Sequence, residues 1–345
     1  MRCDKGRAAT LVSFVLIASL VHSLENPGLV CKKKYVMGTI FEIAAYDQSP
    51  EHASGAIEKA FQEIVRLDDL LSNYKPDSAL SNLNRSAHFH AEEVPSDLYR
   101  SIDQAVQFSR LSDGKFDITI APLVDLWKVA LLDGGMPSRA QQEKIRGCVG
   151  YEKIQLMPPN HISFLSSCLQ LDLGAIGKGY AVDRAAQVLR SLGIRDALVS
   201  AGGSTIFAMG SPPGQKGWLI HLRDPSHQID PQVMLKDESV STSEQTTRSL
   251  LGSDLLGHII DPDTGMPLKT VFTVSAVSKT ATASDALSTT LLLLGPTKGK
   301  ALIKNMVEVS AIWISDEAHV ETVTGGPEIL FGRDLLTPFS AGKNP

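Results

Sequence analysis

The sequence predicts an α+β fold, with mixed or antiparallel sheets and helices packed on them. Two observations carry that expectation. Apolar residues at helical spacing dominate the first half of the chain, whereas the second half is a succession of short alternating strands interrupted by few helices. No repeat, low-complexity tract or long linker separates the halves, so the 345 residues read as a leader followed by one large domain.

The leader is "MRCDKGRAATLVSFVLIASLVHSLENPG". Lys5 and Arg7 precede an apolar stretch, Leu11–Val21, that is short for a membrane span, and Val21 and Ser23 are the small residues expected before a cleavage site. An export signal over 1–23 is expected, with the mature chain over 24–345, and an uncleaved anchor is the competing reading of the same apolar stretch. A lipid anchor would need small residues just before a cysteine, but Leu29 and Val30 precede Cys31.

The mature chain opens with "KKYVMGTIFEIAAY", which alternates as a strand. "EHASGAIEKAFQEIVRLDDLLSNY" follows with Ala56, Ala60, Ile64, Leu67 and Leu71 on one helical face. "SDLYRSIDQAVQFSRLSDG" reads as a second helix stopped by Gly114, and "PSRAQQEKIRG" as a third opened by Pro137. The irregular stretch "GGMPSRAQQEKIRGCVG" is either a boundary or an excursion. Strand patterns follow in "KIQL", "HISFL", "LQLDLG", "DALVSAGGSTIFAMG", "GWLIHLRD", "GHIID", "FTVSAVS" and "VSAIWISD". Helices are expected from about Ala181 to Leu192, from Ser284 to Leu294, and in "TKGKALIKNM".

Composition limits the function. With 43% hydrophobic and 21% charged residues and a net charge of −5, the chain is an ordinary globular protein with no Lys/Arg-rich block, which gives no footing for nucleic acid. Four cysteines, Cys3, Cys31, Cys148 and Cys168, contain no C-x-x-C pair, which argues against a thiolate zinc site. One disulfide among Cys31, Cys148 and Cys168 fits an oxidising compartment, and the spacing does not select the pair.

Four stretches could carry chemistry. "LQLDLGAIGKGYAVDRAAQVL" places Gly174, Gly177, Lys178 and Gly179 between a strand and a helix, where amide N–H groups, the helix dipole and a lysine suit phosphate. It matches neither a P-loop nor a dinucleotide fingerprint, and a plain tight turn explains the spacing equally well. In "FSRLSDGKFDITIAPLVDLW", Asp117 and Thr119 fall in a short strand before Pro122, where a turn or capping role is the simpler reading of Asp117. A lone histidine is usually structural, yet His258 in "GHIIDPDTGMP" is positioned at a strand end, where it could accept a proton near neutral pH, and its spacing decides neither reading. In "TATASDALSTTLLLLG", Asp285, Ser288 and Thr289 share one face of a helix's first turn. Those hard oxygens suit magnesium, while Ser284 as N-cap and Asp285 on the helix dipole explain the same residues without a ligand.

Taken in order, "MGT" (Met37–Thr39), "SNYKPDSALSNLN", "SDGKFDIT" with "PLVDLW", "DLGAIGKGYAVD", "SAGG", "HIIDPDTG" and "SDALSTTLLLLG" resemble the FAD:protein FMN transferase family, the ApbE-type flavin transferases once described as thiamine-biosynthesis lipoproteins. The resemblance runs from about Tyr35 to Phe331. It implies a T-fold-like architecture and a magnesium-dependent enzyme of the cell envelope, in the periplasm or on the outer face of the inner membrane. Such an enzyme takes FAD, transfers FMN to a threonine hydroxyl of an acceptor protein, typically a subunit of a membrane redox complex, and releases AMP. Carried over residue by residue, Met37, Tyr74, Lys115, Phe116, Asp117, Asp172, Lys178 and Ile259 would contact FAD, and His258 would be the base. The Ala175 carbonyl, Asp285, Ser288 and Thr289 would hold magnesium, with a departure at Ser288, where some relatives carry an acid. FAD hydrolysis to FMN and AMP, or FAD binding without chemistry, are the competing readings.

Overall fold

A computed structural model describes residues 27–133, 135–245, 247–248, 256–257 and 259–331. The expected leader and His258 lie outside the described residues. Among the described residues, no helix is long and apolar enough to cross a membrane.

An eight-stranded sheet organises the molecule, in the order Gly28–Val36, Thr39–Asp47, Asp196–Ala201, Thr205–Met209, Glu238–Glu244, Phe272–Ser278, Ser310–Ser315 and Val320–Thr324. Every neighbouring pair is antiparallel. The stretch "KKYVMGTIFEIAAY" is therefore a hairpin and not one strand. It turns at Met37 and Gly38, whose φ values of 51° and 71° give the left-handed two-residue loop that matches strand twist.

The helices are α1 (Pro50–Leu71), α2 (Ala79–Ser86), α3 (Ser96–Leu111), α4 (Ala121–Leu132), α5 (Arg139–Arg146), α6 (Gly177–Ser191) and α7 (Ala281–Ile303). Helix α1 starts where Ser49 accepts from the His52 amide, and it buries Ile57, Ala60, Ile64 and Leu67 at successive helical turns. Helix α5 opens on Ser138, through a capping box with Gln141, one residue after the expected Pro137. Asp117 and Thr119 do not lie in a strand. Asp117 caps a short 3-10 turn, Ile118–Ile120, that runs into α4, and Pro122 is tolerated there because first-turn amides need no intrahelical acceptor.

"LQLDLG" also differs from expectation. Leu169, Leu171 and Leu173 alternate inward, but their backbone joins no ladder. The Asn84 side chain stands in for a partner strand, its Oδ1 accepting from Leu171 N at 2.8 Å and its Nδ2 donating to Leu171 O at 3.0 Å. Cys148 is bonded to Cys168, which ties the end of α5 to this segment.

Both faces of the main sheet are covered. Helices α1, α6 and α7 bury Phe41, Ile43, Val199, Phe207, Val274, Ala276 and Trp313 on one face. On the other, the strands Trp218–His221 and Pro231–Leu235 of a small three-stranded sheet pack Trp218, Ile220 and Val233 over Ala208, Val240, Val277 and Ile312. Neighbouring residues of one strand, such as Ala276 and Val277, thus serve separate cores, as a period of two requires.

Candidate active site

The site forms where α6 meets α7. Helix α6 begins at Gly177, earlier than expected, which puts Lys178 in its first turn. Helix α7 begins at Ala281 behind the N-cap Thr280, so Asp285 stands in its second turn and not its first. Gly295 (φ 69°) and Pro296 break α7 internally, which separates the expected helix ending at Leu294 from the one expected in "TKGKALIKNM".

Asp183, on α6, fixes this junction. Its carboxylate accepts from the Ala281 amide at 2.7 Å and the Thr282 amide at 2.8 Å, capping α7 from a neighbouring helix. Burial pushes the Asp183 carboxyl above the ordinary carboxylate value, and these hydrogen bonds work in the other direction. Gly179 lets the helices touch, because a Cβ there would lie 2.8 Å from Asp285 Cβ and nearer still to the Ala281 carbonyl oxygen.

That contact places Asp285, 4% exposed, against the start of α6. Its Oδ2 accepts from the Gly179 amide at 2.9 Å, and its Oδ1 accepts from Thr205 Oγ1 at 3.2 Å. Gly179 is the third residue of α6, where an amide has no acceptor within its own helix, and Asp285 satisfies it across the junction; the Ala175 carbonyl stands in the turn just before the helix. The Lys178 ammonium bonds to the Gly174 carbonyl at 2.9 Å and stands 3.8 Å from Asp285 Oδ1.

These groups border a cavity of about 740 Å³, within the range that encloses cofactors. Asp172, Ala175, Lys178, Asp285 and Thr289 form one wall; Tyr74, Phe116, Asp117 and Ile259 approach from the loops. The turn Gly202–Ser204 and the stretch from Ile220 to Arg223 complete it. Asp172 is oriented by the Gly174 amide, 2.7 Å from Oδ1. Asp117 accepts from Thr119 N and Oγ1 and from Tyr151 N, while its burial raises its carboxyl above the ordinary value.

Other expected residues stand elsewhere. Met37, in the hairpin turn, packs on the core beside Gly177 and is not in the cavity lining. Lys115 is not in the lining either, since its ammonium bonds to Asp261 Oδ1 at 2.6 Å and Asp263 Oδ2 at 2.8 Å. Burial disfavours the charge on Lys115, but the two aspartates outweigh it and hold its pKa above the ordinary value. Ser288 is fully buried behind the wall, its hydroxyl donating to the Asp285 carbonyl at 2.9 Å. Residues absent from the sequence expectation include Asp183, Thr205, Ser243 and the rim pair Arg223–Glu244, whose Nε and Oε2 are 2.6 Å apart.

A hard cation matches this donor set. A buried carboxylate, a hydroxyl and the Ala175 carbonyl of the turn before α6 are oxygen ligands, and magnesium takes few protein ligands when phosphates and water supply the rest. Among the described residues no group of His, Cys, Asp and Glu forms a closed all-protein metal cage.

The fold and the site together define a nucleotide-scale binding enzyme built on an antiparallel sheet. The family model described as "ApbE family" matches residues 37–313, and the chain belongs to that family. An FAD:protein FMN transferase of Treponema pallidum is 30% identical over 316 residues, covering 85% of this chain and 86% of that one. The FAD:protein FMN transferase of Escherichia coli K12 is 28% identical over 278 residues, covering 78% and 79%. The apo crystal structure of Pseudomonas stutzeri flavinyl transferase ApbE superposes with a TM-score of 0.76 at 26% identity, covering 88% of this chain and 98% of that one.

Proposed function

We propose that the protein is an FAD:protein FMN transferase that joins FMN to a threonine hydroxyl of an acceptor protein and releases AMP. The observation that supports it best is the meeting of Lys178, Asp285 and Thr289 on the wall of one cavity of dinucleotide size, in a chain whose relatives carry that name. The acceptor oxygen forms a bond to the FMN phosphorus as the bond from that phosphorus to the bridging oxygen breaks, and AMP leaves with the bridging oxygen. The hydroxyl proton passes to a base, the role proposed for His258.

The residues divide the work by chemical type. Lys178 and the amides of the turn before α6 attract and orient the pyrophosphate. Ile259 gives the flavin or adenine an apolar surface, and Tyr74, 77% exposed, stands at the mouth. Asp285, Thr289 and the Ala175 carbonyl would hold magnesium, which when bound neutralises charge on the leaving phosphate. Lys178, 3.8 Å from Asp285 Oδ1, offsets the charge of that buried carboxylate when no cation is bound.

The protein is read as exported, to the periplasm or the outer face of the inner membrane, with a subunit of a membrane redox complex as acceptor. The Cys148–Cys168 bond supports an oxidising compartment. Incubation with FAD, magnesium and a threonine-containing acceptor peptide is expected to add the mass of FMN to the peptide. Asp285→Ala should lower that rate by about 100-fold or more while the variant stays folded. FMN and AMP formed without any labelled peptide would assign the site to hydrolysis instead.

A further inference from the structure

We propose that Ser243 is a positioning residue that fixes Thr289 as a pure hydrogen-bond acceptor toward the cavity, so that this point of the wall selects a cation. The inference rests on the metal reading above and goes beyond it by assigning the orientation of a hydroxyl proton and the residue that sets it. Its basis is a count of protons. Each serine or threonine hydroxyl carries one proton and two lone pairs.

The Ser288 hydroxyl lies 2.9 Å from the Asp285 carbonyl oxygen, and a carbonyl can only accept, so Ser288 uses its proton there. Ser243 Oγ is 2.8 Å from Ser288 Oγ, and that bond must take the proton of Ser243. Ser243 Oγ is also 3.1 Å from Thr289 Oγ1, and with its own proton committed, Ser243 can only accept from Thr289. The proton of Thr289 therefore points into the protein. What Thr289 Oγ1 presents to the cavity is lone pairs, which repel a phosphate oxygen and favour a cation.

The same polarity holds beside it. Asp285 receives the Gly179 amide and the Thr205 hydroxyl on its two oxygens, so its remaining lone pairs are also acceptors. Neighbouring serines show that hydroxyl pairing alone does not produce this effect. Ser239 and Ser241 pair with Ser284 at 2.8 and 2.9 Å, further along the same strand and helix, and neither bond involves Thr289.

The test uses the folded, full-length protein and Mn2+ alone, titrated calorimetrically or by the loss of its free paramagnetic signal. Ser243→Ala is expected to weaken Mn2+ binding by roughly tenfold or more, in line with residues that orient metal ligands. Ser241→Ala, equally part of the hydroxyl pairing, is expected to lower the melting temperature and leave Mn2+ affinity at the parent value. Ser288→Ala serves if Ser243→Ala does not fold. It frees the proton of Ser243 to turn to Thr289, and it should weaken Mn2+ binding although Ser288 is behind the wall. Parent-like Mn2+ affinity in Ser243→Ala, or an equal loss in Ser241→Ala, overturns the proposal while leaving the metal site in place. Equal Mn2+ binding by the parent and Asp285→Ala removes the metal reading itself, and this inference with it.

Discussion

Gly179 and Asp285 illustrate how little separates a site from a packing contact at the scale of single residues. A methyl group at 179 would overlap the backbone of α7 at Ala281 and crowd Asp285 Cβ at 2.8 Å. In an isolated helix, alanine is favoured over glycine by about 1 kcal/mol. Overpacking costs about 1–3 kcal/mol and has to move one helix away from the other. Gly179→Ala is therefore expected to lower the melting temperature and to reduce transferase activity well below the melt, because the Gly179 amide no longer reaches Asp285. A raised melting temperature with parent activity would show that the helices have room to spare. Lys178 and Asp285 were both legible as chemistry-bearing residues, since their types and neighbours suggest phosphate and a hard cation. Their proximity was not legible, because more than a hundred positions of chain separate them and only the crossing of α6 and α7 closes that distance.

Among the elements, the strand Glu238–Glu244 gave the weakest sequence signal and matters most to the site. Its helix-facing positions are Ser239, Ser241 and Ser243, so "ESVSTSE" shows no apolar alternation, although Val240 packs on the opposite core. Polar residues can occupy that face because α7 offers Ser284, Ser288 and Thr289 as partners, a match visible only once strand and helix are side by side. The start of α7 shows the same dependence. Thr280 is a good local cap, but two further amides are satisfied by Asp183 of α6. Asp183→Ala should destabilise the protein by about 1–2 kcal/mol in denaturant melts, with Asp183→Asn recovering part of the loss because it keeps an acceptor. If Asp183→Ala melts like the parent, α7 is held by its own cap and by packing alone. The loop elements followed a simpler rule: Asp117 caps a helical turn because aspartate accepts from nearby amides more readily than it joins a ladder.

For the whole molecule, an ion cluster with a defined response to acid joins α1, α3 and α6 at the edge of their shared apolar core. Arg66 on α1 lies 2.7 Å from Glu63 and 2.6 Å from Asp97, and Tyr180 and Arg184 on α6 reach Asp97 and Glu63 at 2.7 and 3.0 Å. The Arg66 bond holds the Glu63 carboxyl below its ordinary 4.5, against the opposing effect of burial. Burial acts to raise Asp97 too, but the bonds from Tyr180 and Arg66 prevail and hold it below 3.8. Depressed carboxyls contribute stability above their unfolded values and lose it as pH falls through the folded ones. Asp117 and Asp183, raised by burial, have the opposite sign, and their contribution increases as pH falls through their folded values toward 3.8. Thermal melts should therefore show little loss on mild acidification and a steep loss below the ordinary carboxylate range. Asp97→Asn should melt lower than the parent near neutral pH and converge with it in acid; parallel curves at all pH values would remove the cluster as the cause.

The sequence by itself determined the α+β class, the amphipathic helices, most of the strands and the residue types of the site. Those follow from local physics: apolar periodicity, caps, turn-forming glycines and the chemistry of each side chain. Tertiary structure decided which of those residues meet. It brought Lys178, Asp285 and Thr289 to one wall, turned Lys115 away to Asp261 and Asp263, and set Ser288 behind the surface. It also paired Cys148 with Cys168, where spacing had left the choice open. The physical reason is common to all of these outcomes. A side chain's partners depend on how helices cross and strands pair, and those contacts join residues whose local sequence carries no record of one another.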